Sequence, residues 1–212
     1  MNQRRVLILI LLLLSFILTA FTVFFVATGD LPKISGRAFS LYMPQNKEFI
    51  LEKNADTRLP MASTTKIMTA LIALECCDLD ETVQIPKEAT NIEGSSIYLR
   101  EGDIISVRDL IYSVLLQSAN DAAQALAIKI SGDIDSFSEL MNQKAIDLGL
   151  INTSFENPHG LDSEGHYTTA RDLCYIARYA MQNAKFRDIV ATKYYTPRHW
   201  ANKNRMLTEC DG

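Results

Sequence analysis

The segment Pro60–Ala70, PMASTTKIMTA, runs on into Leu71-Ile-Ala-Leu74, and Ile67, Met68, Ala70, Leu71, Ile72, Ala73 and Leu74 make a helix that is apolar on nearly every side. Such a helix has no face to turn to water, so it belongs inside its domain with other elements packed around it. A single lysine, Lys66, stands at its mouth, three residues after Ser63. The chain of 212 residues is long enough for one domain with a proper core and too short for two large ones.

Arg4 and Arg5 precede Val6 through Ala27, a run broken only by Ser15, Thr19 and Thr22. About 22 residues make a helix of roughly 33 Å, enough for a bilayer core of about 30 Å. Residues 6–27 are therefore expected to meet membrane. Whether residues 1–29 form a cleaved secretory signal or a retained anchor stays open, since Ala27-Thr28-Gly29 matches a cleavage site only in part. Either way the positive-inside bias puts everything after Asp30 outside the cytoplasm, and residues 30–212 are expected to be the folded domain. The net charge of -4, with Lys and Arg scattered, provides no basic stripe for phosphates, which argues against nucleic acid as a partner. Cys76, Cys77, Cys174 and Cys210 have neither a disulfide-framework spacing nor a zinc spacing and read as free thiols.

Two β-like runs, Arg37–Met43 and Glu48–Glu52, flank the turn-like Pro44-Gln-Asn-Lys47 and predict a hairpin. Short strand-like pieces are expected between Val83 and Gly102. Ser106-Val-Arg-Asp109 is a capping signal ahead of Leu110, Ile111, Val114, Leu115 and Leu116. Further helices are predicted from Asp121 through Ile130, around Phe137–Leu148 before Gly149, and after the cap Thr169-Ala-Arg-Asp172. A two-stranded hairpin is marginal alone and wants sheet partners, which the sequence does not supply.

Residues three apart share a helix face, so a helix starting at or near Ser63 brings its hydroxyl to the amine of Lys66. Serine needs a neighbouring base, and lysine is a base only when neutral, which from about 10.4 to near 7 requires a shift of about 3 units. Desolvation among Ile67, Met68 and Leu71 and the positive end of the helix dipole both act in that direction. The helix start also offers backbone N–H groups, that of Ser63 included, to an oxyanion. A plain N-cap at Ser63 and a solvated Lys66 would leave the same letters. In Gln117-Ser-Ala-Asn-Asp121, a break between helices lets Ser118 and Asn120 face one site, as a proton relay and an amide that orients a carbonyl, or simply as caps.

His159, Asp162 and His166 raise a Ser-His-Asp alternative, but Ser63 lacks the G-x-S-x-G turn that such sites use. The same three residues have no recognised metal spacing, so no metal or other cofactor is expected.

The constellations around Ser63 and Ser118, in this order, resemble the penicillin-binding active-site-serine family with its S-x-x-K, S-D-N and K-T-G motifs. Ala62–Ala70, Ser118-Ala-Asn120, Asn157-Pro-His-Gly-Leu-Asp162 and Gly165-His-Tyr-Thr-Thr169 are similar to the D-alanyl-D-alanine carboxypeptidases of bacterial cell-wall metabolism, over about residues 36 to 210. The resemblance implies an α/β fold of the β-lactamase/transpeptidase type, with a helical cluster packed on an antiparallel sheet. It implies Ser63 as the acylated nucleophile, Lys66 as proton acceptor, Ser118 as relay and Asn120 as a substrate-binding group. The implied substrate is a peptidoglycan stem peptide, which would lose its terminal D-alanine through an acyl-enzyme, and β-lactams would trap the same serine. A class A β-lactamase is the sister alternative, but Glu156 stands in Ser-Phe-Glu-Asn-Pro rather than E-x-x-L-N. A membrane-anchored wall-binding protein without chemistry is the other. No K-T-G occurs, and the chain stops at Gly212, close to where it would fall. The expectation is a chain truncated before its C-terminal strands and inactive by itself.

Overall fold

The computed structural model describes residues 34–209 together with Ser15. The expected membrane segment, Ser15 apart, and Cys210 lie outside the described residues. No described helix is long and apolar enough to cross a membrane. The chain divides into two units, Met1–Gly36 and Arg37–Gly212.

The predicted hairpin is present as β1 (Phe39–Met43) and β2 (Glu48–Lys53), antiparallel, with a register shift between Leu41 and Tyr42. A short 3-10 turn, Ala62–Thr65, leads into α1 (Lys66–Cys76), whose residues Met68–Leu74 are all buried. The helix therefore starts at Lys66, and Ser63 sits in the tighter turn before it. Two small strands, β3 (Thr82–Gln84) and β4 (Ile104–Ser106), pair antiparallel.

The Ser106 hydroxyl accepts from the Asp109 N–H and starts α2 (Val107–Tyr112), as the capping signal predicts. The expected helix does not run straight on: Ser113–Gln117 form one π-helical turn that ends at Ser118. A π turn widens the backbone by one residue, and such turns recur at functional sites. Next come α3 (Asn120–Ser131), α4 (Ile134–Asp147), α5 (Ala170–Ala180) and α6 (Ala184–Ala191). α5 carries the predicted Thr169 cap, whereas α6 was not expected from the sequence; it is capped by Asn183, which accepts from the Phe186 N–H. β5 (Tyr194–Tyr195) and β6 (Trp200–Ala201) form a third small ladder, and one helical turn, α7 (Met206–Glu209), closes the described chain.

The core follows from α1. α2 to α6 and the π turn all pack against it, so the helix that is apolar on nearly every side is buried continuously from Met68 to Leu74. The hairpin docks on α5 through the rings of Tyr42, Phe49 and Tyr175, with centroids 4.9 to 5.8 Å apart, and the Arg171 guanidinium lies over Phe49. Among the described residues the strands form three separate two-stranded ladders. Tyr195 fixes the C-terminal ladder: its ring stacks on Tyr112 at 3.9 Å and its phenol donates to Asp109 at 2.6 Å, while Arg198 binds the same carboxylate.

Candidate active site

The turn that carries Ser63 is built under strain. Ala62 has φ 45, a left-handed conformation unfavourable for alanine. Two hydroxyls hold it there, Thr64 donating to Met61 O at 2.5 Å and Thr65 to Ala62 O at 2.8 Å. In a 3-10 turn, residues three apart eclipse one another, and the Nζ of Lys66 lies 3.1 Å from the Oγ of Ser63. The two groups thus meet as the spacing predicts, but through a tighter turn than an α-helix.

Lys66 is 3% exposed and also donates to the carbonyl of His159 at 2.6 Å. Burial, and after it the charge of Lys203, pushes its pKa down to about 8. At pH 7 about a tenth is then neutral, against less than a thousandth for an ordinary lysine. The neutral amine keeps an N–H for His159 O and turns a lone pair to Ser63, so the 3.1 Å contact reverses its donor and can carry a proton away from the hydroxyl.

The loop from Asn157 to Leu161 presents that carbonyl. Asn157 Oδ1 accepts from the Gly160 N–H at 2.7 Å and its amide donates to Leu161 O, closing an Asx-type turn. Pro158 O accepts from Thr69 on α1 at 2.6 Å. Gly160, at φ 91, packs so closely that a Cβ there would collide with the Ala62 carbonyl.

His166 accepts the Glu156 N–H at Nδ1 (3.0 Å), so its proton is on Nε2, which donates to Thr65 Oγ1 at 2.7 Å. His159 is buried beside Lys66, and burial first, then the Lys66 charge, lowers its pKa to about 4. Neither imidazole is hydrogen-bonded to Ser63, so the Ser-His-Asp alternative does not assemble; the histidines instead support the turn. Thr65→Val is expected to lower stability by about 1 to 3 kcal/mol, because Ala62 O and the His166 Nε2–H each lose a buried partner. Thermal denaturation followed by circular dichroism measures this; an unchanged midpoint would show that the chain of bonds through Thr65 does not hold the turn.

Ser118 closes the π turn in the left-handed region, φ 60 and ψ 34. Asn120 then begins α3, 5% exposed, with its N–H on Ser95 O at 2.7 Å and its side-chain amide on Glu93 O at 2.5 Å. The left-handed residue is the change of direction that two positions of opposite helical facing require. No hydrogen bond links Ser118 to Ser63 or Lys66. Asp121, 1% exposed, accepts from Ser96 Oγ and from the N–H groups of Ile97, Leu99 and Ala122, which ties the loop beside Asn120 to α3. Asp121, the carbonyl of His159 and the charge of Lys203 are contributions the sequence reading missed. Among the described residues no cluster of three or more His, Cys, Asp or Glu side chains could hold a metal ion.

The family model for D-alanyl-D-alanine carboxypeptidases matches residues 27–211. The D-alanyl-D-alanine carboxypeptidase DacF of Bacillus subtilis is 40% identical over 134 residues, 61% of this chain and 34% of the relative. DacC of Escherichia coli is 35% identical over 198 residues, 85% of this chain and 48% of the relative. The chain thus spans about half or less of the length of these two relatives. The crystal structure of penicillin-binding protein D2 from Listeria monocytogenes, in its ampicillin-bound form, superposes with a TM-score of 0.76 at 28% identity, over 86% of this chain and 78% of that one.

Proposed function

Because this chain belongs to the D-alanyl-D-alanine carboxypeptidase family, we propose that it carries the acylating machinery of a serine-type D-Ala-D-Ala carboxypeptidase acting outside the cytoplasm on peptidoglycan stem peptides. The observation that bears most weight is the contact of Ser63 with a buried lysine whose pKa is lowered to about 8. A lysine placed only for solvation would gain nothing from either.

In this reading neutral Lys66 takes the Ser63 proton as Oγ attacks the carbonyl of the terminal D-Ala-D-Ala bond. Backbone N–H groups at the Ser63 turn stabilise the oxyanion that forms. Ser118 passes the proton on to the leaving amine, and Asn120 orients the peptide. D-Alanine departs, and water hydrolyses the ester on Ser63, restoring the serine. β-Lactams acylate the same oxygen, which accords with the ampicillin-bound relative. Residues 30–212 are the catalytic portion in this reading, and residues 1–29 a secretory signal or an anchor that holds it to the outer face of the membrane.

The test is release of D-alanine from a stem pentapeptide by the whole protein, read with a D-amino-acid oxidase couple. Release accompanied by covalent capture of a labelled penicillin is expected. Noncovalent wall binding with neither would instead favour a binding protein.

A further inference from the structure

The end of β6 and the segment that follows it are fastened to the turn ending in Ser118 by bonds that run both ways. Gln117 Nε2 donates to Ala201 O at 2.7 Å, and Lys203 Nζ donates back to Gln117 O at 2.6 Å. The Lys203 N–H reaches Leu116 O at 3.4 Å. Asn202 anchors the same segment on its other side, its amide donating to Val190 O and Thr192 O at 3.1 and 3.0 Å. Gln117 O is the last carbonyl of the π turn, at the negative end of the helix, where a cation is favoured. The next residue is Ser118, and a serine at φ 60 keeps that conformation only where its neighbours impose it.

We propose that Lys203 is a positioning residue of the Ser63, Lys66 and Ser118 site, holding the left-handed turn through Gln117 and placing a cation one residue from Ser118. The proposal rests on the reading of Lys66 as the base. Of the groups around Lys66, the ring of His159 is held neutral at pH 7 by burial and by Lys66 itself, and His166 stands behind Thr65. Lys203 is the cation that acts on Lys66, adding to the effect of burial. A neighbouring cation disfavours a second proton, so Lys203 raises the share of Lys66 able to accept from Ser63. Lys203 is exposed, so salt screens the effect, with a Debye length of about 8 Å at physiological strength.

The test is a 13C NMR titration of the lysine Cε signals on the full chain, with Lys66 assigned by its loss in Lys66→Met. Exposure of Lys203 means that Lys203→Met is expected to fold, which far-ultraviolet circular dichroism checks. The Lys66 midpoint is expected to rise by about half a pH unit or more in Lys203→Met at low salt, less at high salt. The Ser118 Cα shift, a marker of left-handed backbone, is expected to move with it, and Lys203→Arg is expected to restore both. A midpoint or Ser118 shift that stays put in Lys203→Met, or an arginine variant no better than methionine, overturns the proposal. The readout needs no turnover, so its failure leaves Ser63 as nucleophile standing. Conversely, penicillin capture by Ser63→Ala would refute that reading and leave the titration unaffected.

Discussion

Replacing Lys66 by methionine in the whole protein is expected to slow covalent capture of a labelled penicillin by about 10² to 10⁴-fold, the range that a positioned base contributes. Ser63→Ala is expected to abolish capture, because it removes the oxygen that is acylated. The two are separable: the methionine variant still labels slowly, and the alanine variant does not label at all. In the unmodified protein the rate should climb with pH through about 8, as Lys66 loses its proton, and that limb should vanish in Lys66→Met. A limb that persists without Lys66 would assign the base to another group.

The stability of the methionine variant is expected to move the other way from its reactivity. Lys66 has a folded pKa below its ordinary value, so between about pH 8 and 10.5 the unfolded chain binds the extra proton and stability rises with pH. Below pH 8 the buried ammonium costs on the order of 3 kcal/mol. Methionine removes that cost but leaves His159 O without its donor, which costs about 1 to 3 kcal/mol. The net expectation is a variant as stable as the parent or slightly more so, yet nearly unreactive, as determined by denaturant titration at pH 7. Marked destabilisation would mean that Lys66 serves the fold rather than the chemistry.

Gly160→Ala is the second large effect. Its Cβ would meet a backbone carbonyl, Ala62 O, which cannot rotate aside, at a position already at φ 91. A loss of roughly 2 to 4 kcal/mol is expected, with a melting midpoint lower by about 5 to 15 °C. Penicillin capture should fall as well, since the residue before Gly160 supplies the carbonyl that holds Lys66. Gly149→Ala is the control: it too has positive φ, 75, but its Cβ would meet nothing within 4 Å. Equal losses in both variants would mean that backbone strain alone acts at Gly160, and that the close approach of the loop to the Ser63 turn is not needed.

What the sequence made legible was carried by local rules. The caps at Ser106 and Thr169 each need only a hydroxyl and a residue three positions on, and both are in place. The contact of Lys66 with Ser63 is what a spacing of three residues leads one to expect, and the all-apolar helix correctly predicted its own burial. The π turn was not legible, because widening a helix by one residue leaves the pattern of Leu110, Ile111, Val114 and Leu115 unchanged. α6 was missed because Ala184–Ala191 mixes Lys185, Arg187 and Asp188 with Phe186 and Ile189 over only two turns. The acceptor for Lys66 was invisible for a deeper reason: it is a main-chain carbonyl, which every residue type carries. Lys203 likewise reaches the site through backbone oxygens, so no pairing of side-chain types announces it.

The anchors of the Ser63 turn have a consequence for the order in which the protein comes into being. Thr65 is bonded to a residue 101 positions later, Lys66 to one 93 later and Thr69 to one 89 later. Contacts so distant along the chain form late, after the loop between them has closed. A chain emerging from its N-terminus therefore has Ser63 long before the residues that hold its turn and Lys66 in place. Through that interval the amine has no carbonyl to hold it and keeps the proton of an ordinary exposed lysine. In the proposed function, a half-made chain is thus not yet open to acylation by a passing β-lactam, and reactivity arrives as one of the last events of folding.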